Sequence, residues 1–198
     1  MLIAERDNAR VEPSPDSRAI CPSCKSLVIS KCGEINVWHW AHEAADCDSW
    51  SEPESRWHSY WKSRFPAIAR EVVIGNHRAD IQTASGWVIE LQNSSISSSE
   101  IVERERFYGR MIWIINAAEF SDNLSLRPKQ GFITFRWKWP RKSWESARAP
   151  IFLDLGGEFL LRLRRIHWHE GRSAGGWAKE VAVAMLVQRA LRGIFMGS

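Results

Sequence analysis

Arg78-Ala79-Asp80-Ile81 and Trp87-Val88-Ile89-Glu90-Leu91-Gln92 decide how the middle of this 198-residue chain reads. Alternation along an extended chain predicts a β-hairpin with Asp80 on the first arm and a turn through Ala84-Ser85-Gly86. On the returning arm Val88, Glu90 and Gln92 share one face, and Trp87, Ile89 and Leu91 share the other. A strand inside a small sheet is apolar on both faces, so a carboxylate there costs desolvation unless a positive charge answers it. A divalent cation is one such charge. Asp80 and Glu90 are therefore candidate metal ligands, although two carboxylates taken alone are more often a solvated surface or a salt bridge.

The order of elements around them adds weight. Ser51-Glu52-Pro53-Glu54 predicts a helix over residues 51–65, capped by Ser51, with Pro53 in its first turn and Pro66 after its end. On it Glu54, His58 and Lys62 recur every four residues, ordinarily the wet face of a helix, while Trp57, Tyr60 and Trp61 form the buried side. Strands are expected at 71–74, 78–83 and 87–92. Ser97 or Ser98 caps a second helix to about Tyr108, and the apolar run from Met111 to Asn116 reads as a strand buried in a parallel pair. The order is helix, three strands, helix, strand.

All four cysteines lie in the first quarter of the chain, at Cys21, Cys24, Cys32 and Cys47. Such clustering points to a metal rather than a disulfide framework. Two thiolates two residues apart reach one side of a tight turn, so Cys21 and Cys24 form half of a tetrahedral zinc site. His42 and Cys47 complete the preferred set, with His39 as the alternative to His42 and Cys32 left over. A structural zinc explains how residues 19–50 fold with little core. Residues 1–18 read as a loose leader.

Composition bounds the rest. The chain is 44% hydrophobic, enough for a packed core, and carries a formal charge of +4. Residues 121–172 hold eleven Lys or Arg against five acids, so the basic excess is local. Arg136-Trp137-Lys138-Trp139-Pro140-Arg141-Lys142-Ser143-Trp144 interleaves cations with indoles, which suits phosphate contact and base stacking as well as a basic loop whose tryptophans cover the core. Further on, 151–155 and 159–163 read as strands about Gly156-Gly157, 173–176 as a linker, and a final helix spans about 180–195 and either packs on the sheet or forms a homodimer. His167 and His169, with no cysteine nearby, read as ordinary exposed residues. The charged start of the chain and the interrupted apolar end predict no leader peptide and no membrane span, hence a cytoplasmic protein.

The helix-strand order, with Asp80 on the second strand and Glu90-x-Gln92 on the third, resembles the restriction-endonuclease-like superfamily and its PD-(D/E)XK motif. More closely, Cys21-Pro22-x-Cys24, His39-Trp40-Ala41-His42, Glu54-x-x-x-His58 and Arg78-Ala79-Asp80 resemble the CoiA-like competence-protein family. Glu90-Leu91-Gln92-x-Ser94, Arg104-x-x-x-Tyr108 and Ile112-Trp113-Ile114 extend that resemblance to residues 19–117. It implies an α/β, restriction-endonuclease-like core over residues 51–120, behind a small zinc-binding module and followed by a basic extension over 121–198. The implied activity is divalent-metal-dependent hydrolysis of single- or double-stranded DNA, linked to processing or recombination of incoming DNA.

On that reading Asp80, Glu90 and the Leu91 carbonyl hold Mg²⁺ or Mn²⁺, Glu54 is an extra acid and Glu71 a weaker one. The usual motif lysine is Gln92 here, which cannot carry charge, so it positions water while Lys62 or His58 supplies the missing cation. Arg78, Arg104, Tyr108, Arg136, Lys138, Arg141 and Lys142 are the expected DNA contacts. The rival reading is a catalytically silent zinc-containing DNA-binding or adaptor protein, and a third is a zinc-dependent regulator built on the first 50 residues.

Overall fold

Short strands joined by tight turns build the start of the chain in the computed structural model, which describes residues 1–44 and 47–193. Five of them, β1 (Ala4–Arg6), β2 (Ala9–Val11), β3 (Arg18–Ile20), β4 (Leu27–Lys31) and β5 (His39–His42), form an antiparallel sheet in the order β2-β1-β3-β4-β5. The expected loose leader over residues 1–18 is corrected here. Asp7 and Asn8 both take left-handed φ, 52° and 62°, the geometry of a two-residue hairpin turn that suits the twist of β1 and β2. Met1 and Ala4 then pack with Ala19, Cys21, Val28 and Trp40 in one small core.

The same compact unit, Met1–Gln82, contains helix α1 (Arg56–Ser63) and the antiparallel pair β6 (Arg70–Ile74) and β7 (His77–Gln82). The helix starts later than the expected Ser51. Ser55 is the cap, its hydroxyl accepting from His58 N, and Glu54 lies before the first turn. The division of the chain falls at Gln82, not at residue 50, because β6 is tied to the first strands: the Glu71 carboxylate accepts from Leu2 N and Ile3 N, both at 2.8 Å.

The second unit, Thr83–Ser198, begins with β8 (Val88–Gln92), every residue of which is buried. Helix α2 (Ser98–Tyr108), capped by Ser97, crosses to β9 (Met111–Asn116), which pairs parallel to β8 as the apolar run predicted. Strands β10 (Leu124–Lys129), β11 (Phe132–Lys138), β12 (Ile151–Asp154), β13 (Phe159–His169) and β14 (Ser173–Ala182) follow, then α3 (Val183–Leu191). Their order across the sheet of this unit is β10-β11-β14-β13-β12-β9-β8. The α/β class and the order of elements over residues 51–116, helix, three strands, helix, strand, are as expected.

Two expectations for the tail fail. Residues 173–176, read as a linker, open β14, where Gly176 is required by close packing: a Cβ there would lie 1.8 Å from the Arg165 carbonyl oxygen. A β-bulge between Leu163 and Arg165 shifts the register at that point. The basic run 136–144 begins as strand β11 and not as a loop, with Trp137 and Trp144 buried and Trp139 exposed. The expected end of the last helix near residue 195 lies outside the described residues. No helix among the described residues is long and apolar enough to cross a membrane.

Candidate metal centre and buried ion clusters

The turn between β3 and β4 is closed by Cys21 N donating to Ser26 O and Lys25 N donating to Cys21 O, which leaves both thiols of the Cys21-Pro22-Ser23-Cys24 knuckle on one side. His42 ends β5, and Cys47 follows five residues later. The donor atoms of Cys21, Cys24, His42 and Cys47 all lie within 4.8 Å of one another. Tetrahedral zinc with Zn–S of about 2.3 Å and Zn–N of about 2.0 Å requires edges of about 3.8 Å between sulfurs and about 3.5 Å between sulfur and nitrogen. Cys21 Sγ to Cys47 Sγ is 3.7 Å and Cys24 Sγ to His42 Nε2 is 3.3 Å, so this Cys₃His set fits structural zinc.

His39 is turned away from that set, its Nδ1 2.8 Å from the Val37 carbonyl oxygen, and Cys32 also stands outside it. Burial opposes ionisation at both Cys24 and Cys47, with different outcomes. Hydrogen bonds with Ser26, His42 and Cys47 bring the Cys24 thiol down to about 6. Cys47, beside two other sulfurs, is pushed up to about 12. Next to it, the buried Asp48 carboxylate accepts from Arg78 N at 2.8 Å and pairs with His77 Nδ1 at 2.9 Å, and His77 stacks on Trp50 at 3.3 Å. The metal-binding loop is thereby fastened to the strand that carries Asp80. Asp48 was missed in the sequence, where nothing distinguishes it from other loop acids.

The Glu54, His58, Lys62 stripe is not a wet face. His58 and Lys62 are buried with Trp61, while Tyr60 is exposed and Trp57 only half-buried, so the expected buried side is wrong for those two aromatics. The β6–β7 register pairs Arg70 with Ile81 and Val72 with Ala79, which brings Glu71 and Asp80, between those pairs, to the same level, two like charges that need a cation between them. Lys62 Nζ supplies it, at 2.8 Å from Glu71 Oε1, 2.9 Å from Glu54 Oε2 and 3.2 Å from Asp80 Oδ1. Burial opposes its charge, but Glu71, Asp80 and Glu54 outweigh that and hold its pKa well above the ordinary lysine value.

Glu71, also buried, is driven the other way: burial would raise its pKa, and Lys62 and the neighbouring positive charges hold it well below the carboxylate range. Its backbone sits at φ 47°, a strained value for glutamate, and both carboxylate oxygens are used on Lys62 and the Leu2 and Ile3 amides. That is a structural role rather than the weak metal-ligand role expected of it. His58 Nε2 lies 3.4 Å from Glu52, and although burial disfavours its charged form, Glu52, Asp80 and Glu54 together raise its pKa.

Two carboxylate features fit a cation at this cluster. Glu54 Oε1 is buried and accepts no hydrogen bond among the described residues, and the Asp80 side chain keeps 22% of its surface open to solvent. An orphaned buried carboxylate oxygen beside an accessible one is chemistry that Mg²⁺ or Mn²⁺ satisfies.

In the second unit Glu90, Gln92 and Leu91 are all buried on β8. The charge answering Glu90 is Arg104 of α2, whose Nη1 donates to Glu90 Oε2 at 2.8 Å while its other nitrogens engage Glu100. Burial lowers and these two carboxylates raise the Arg104 pKa, with a net rise. Arg104, expected at a DNA backbone, is thus buried and its guanidinium directed inward. Tyr108 is half-buried, edge-on to Phe107, and Gln92 Nε2 donates to Ser94 O at 3.4 Å.

The remaining expected DNA contacts divide by exposure. Arg136, Lys138 and Lys142 are exposed, Arg141 is half-buried and donates to Ser94 O, and Arg78 is half-buried near Met1 Sδ. Residues 12–49 match the family model for the N-terminal domain of competence protein CoiA, a span that contains all four candidate zinc ligands. No curated protein and no solved structure matches the chain significantly.

Proposed function

Because the chain is CoiA-like, carrying that family's amino-terminal domain over residues 12–49, we propose that it is a divalent-metal-dependent nuclease acting on DNA in a competence-related role. The observation that carries the reading is the buried Lys62, 3.2 Å from Asp80 Oδ1, a cation beside a motif carboxylate in a chain whose motif lysine position is Gln92. Asp80 and Glu54 are the carboxylates of the first unit available to the ion. Glu90 and the Leu91 carbonyl, in the second unit, are the positions that the PD-(D/E)XK resemblance implies as further ligands. A bound Mg²⁺ or Mn²⁺ would polarise the scissile phosphate and acidify a water. Lys62 offsets carboxylate charge beside the phosphate, and His58, which holds its proton more tightly than ordinary histidine, donates it to the leaving oxygen; orienting the attacking water is the role that the motif position implies for Gln92.

The test is cleavage of labelled single- and double-stranded DNA with Mg²⁺, Mn²⁺ or EDTA, comparing the parent with Asp80→Ala and Lys62→Met. Metal-dependent cutting that both variants lose supports the nuclease at this cluster, and cutting that survives Asp80→Ala removes the cluster as its site. A second reading, a silent zinc-containing DNA adaptor, is favoured by the Arg104–Glu90 pair, which already neutralises a motif carboxylate without metal. DNA binding with no cutting in any metal would decide for it.

A further inference from the structure

Strands β10, β11, β13 and β14 carry eight Arg or Lys residues against one carboxylate, Glu180. Their register sorts these cations onto a common face. Arg127 pairs with Thr134, Thr134 with Trp177 and Trp177 with Arg165; in the next row Ser125 pairs with Arg136, Arg136 with Gly175 and Gly175 with His167. Lys138, Ser173 and His169 make a third row. Side chains directly opposite one another in a sheet point the same way, and the ring contact of Phe132 with Trp177 at 6.0 Å puts both aromatics on this side.

The other face is closed, with Ile133, Phe135, Trp137, Ala174 and Ala178 buried. On the open face Arg127, Arg136 and Lys138 are exposed, and none is in a salt bridge among the described residues. A cavity of about 530 Å³ lies against those three cations and His169, and no carboxylate lines it. It shares His169 and Ser173 with a second cavity of about 690 Å³, again without a carboxylate, beside Trp168, Arg172 and the 59% exposed Trp139. Gly175 leaves the middle row without a side chain, so the basic rim surrounds a shallow floor.

We infer that this open sheet face is a platform for single-stranded nucleic acid. Phosphates meet Arg127, Arg136 and Lys138, and bases stack on Phe132, Trp177 and Trp139. The positive charge selects a polyanionic partner and disfavours basic ones, and the aromatics select against a duplex, whose base faces are already stacked on one another, whereas a flat sheet offers nothing that enters a groove. The inference extends the nucleic-acid reading above and does not depend on cleavage.

Fluorescence anisotropy of a labelled 20-residue oligo-dT and of a duplex hairpin, both in EDTA so that nothing is cut, tests it on the full chain. The parent should bind oligo-dT at least tenfold more tightly than the duplex. Trp177→Ala should weaken oligo-dT binding by roughly 10- to 100-fold, the range expected for one lost base stack. Replacing Arg136 and Lys138 together by glutamine should flatten the log–log salt dependence by about 1.4, the counterion release of two phosphate contacts on a single strand. Circular dichroism checks that each variant is folded. Equal affinity for duplex, folded variants that bind like the parent, or binding to phosphatidylserine vesicles without binding to oligo-dT would each overturn the inference. Tight oligo-dT binding by a protein that never cuts with Mg²⁺ or Mn²⁺ keeps the platform and removes only the nuclease.

Discussion

Lys62→Met removes the ammonium that three carboxylates share while leaving a side chain of similar length to fill the space. Glu54 and Glu71 are almost wholly buried and Asp80 mostly so, which puts the case among buried pairs broken from one side, where the loss is about 3–5 kcal/mol. At roughly 2–4 °C per kcal/mol for a chain of this size, the melting temperature should fall by about 6–20 °C at pH 7. The loss must also depend on pH. Glu71 titrates below its ordinary value in the folded parent, so its contribution is complete above the ordinary carboxylate range and fades only as pH falls through the lower folded-state value. Lys62 titrates above its ordinary value, so its contribution is complete below that value and fades only as pH rises through the higher folded-state one. In the variant Glu71 loses Lys62, the largest charge opposing burial, and keeps only the N-terminus, Arg78 and the two backbone amides, so it takes up a proton at higher pH than in the parent. The deficit against the parent should therefore be largest near pH 8 and shrink toward pH 4.5. Differential scanning calorimetry of both proteins across that range measures it, and adding Glu71→Gln to Lys62→Met should recover part of the loss. A deficit under about 1 kcal/mol, or one of the same size at pH 4.5 and pH 8, would refute the shared-ammonium account.

Native mass spectrometry should find one zinc per chain, retained by His39→Ala and lost in His42→Ala and Cys21→Ser; retention in His42→Ala would assign the imidazole to the wrong residue. Arg104→Met should cost about 3–5 kcal/mol by stranding Glu90, with much of it regained in the double variant with Glu90→Gln, measured by urea unfolding. Gly176→Ala should destabilise by about 1–3 kcal/mol or more, since its methyl would meet the Arg165 carbonyl. Gly33→Ala, with nothing within 4 Å of the added methyl, should be near neutral in the same assay.

Much of the first unit's chemistry was legible in the sequence because its spacing is local. The Cys21-Pro22-Ser23-Cys24 knuckle dictates its own turn, and two histidines in a strand at i and i+3 must face opposite sides, so one imidazole joins the thiols and the other cannot. The four-residue period of Glu54, His58 and Lys62 was visible too, but periodicity reports which residues share a face and not which face is buried. What holds Lys62 is the β6–β7 pair, which brings Glu71 and Asp80 both within reach of its ammonium, and no helical pattern encodes that. The structured start of the chain was hidden for another reason: strands of three residues are too short for alternation to register, and the Asp7-Asn8 turn resembles any polar pair until its two positive φ angles are seen.

Glu90 shows where desolvation reasoning stops. A buried carboxylate on β8 did require a positive charge, and that inference from the alternation of Trp87 to Gln92 was sound. It was degenerate between a metal ion and a side chain, because both satisfy the same electrostatic demand. Sequence offered Arg104 as a DNA contact; its reach to Glu90 depends on how α2 lies over the sheet, which is a tertiary fact. The same degeneracy does not extend to Glu54, whose Oε1 accepts no hydrogen bond among the described residues although Lys62 occupies its other oxygen. If a divalent ion binds this chain outside the Cys₃His set, Glu54 and Asp80 are where it should be felt first. A Mn²⁺ titration read by electron paramagnetic resonance, in which Glu54→Gln weakens binding and Glu100→Gln leaves it unchanged, would separate a metal carboxylate from one already committed to an arginine.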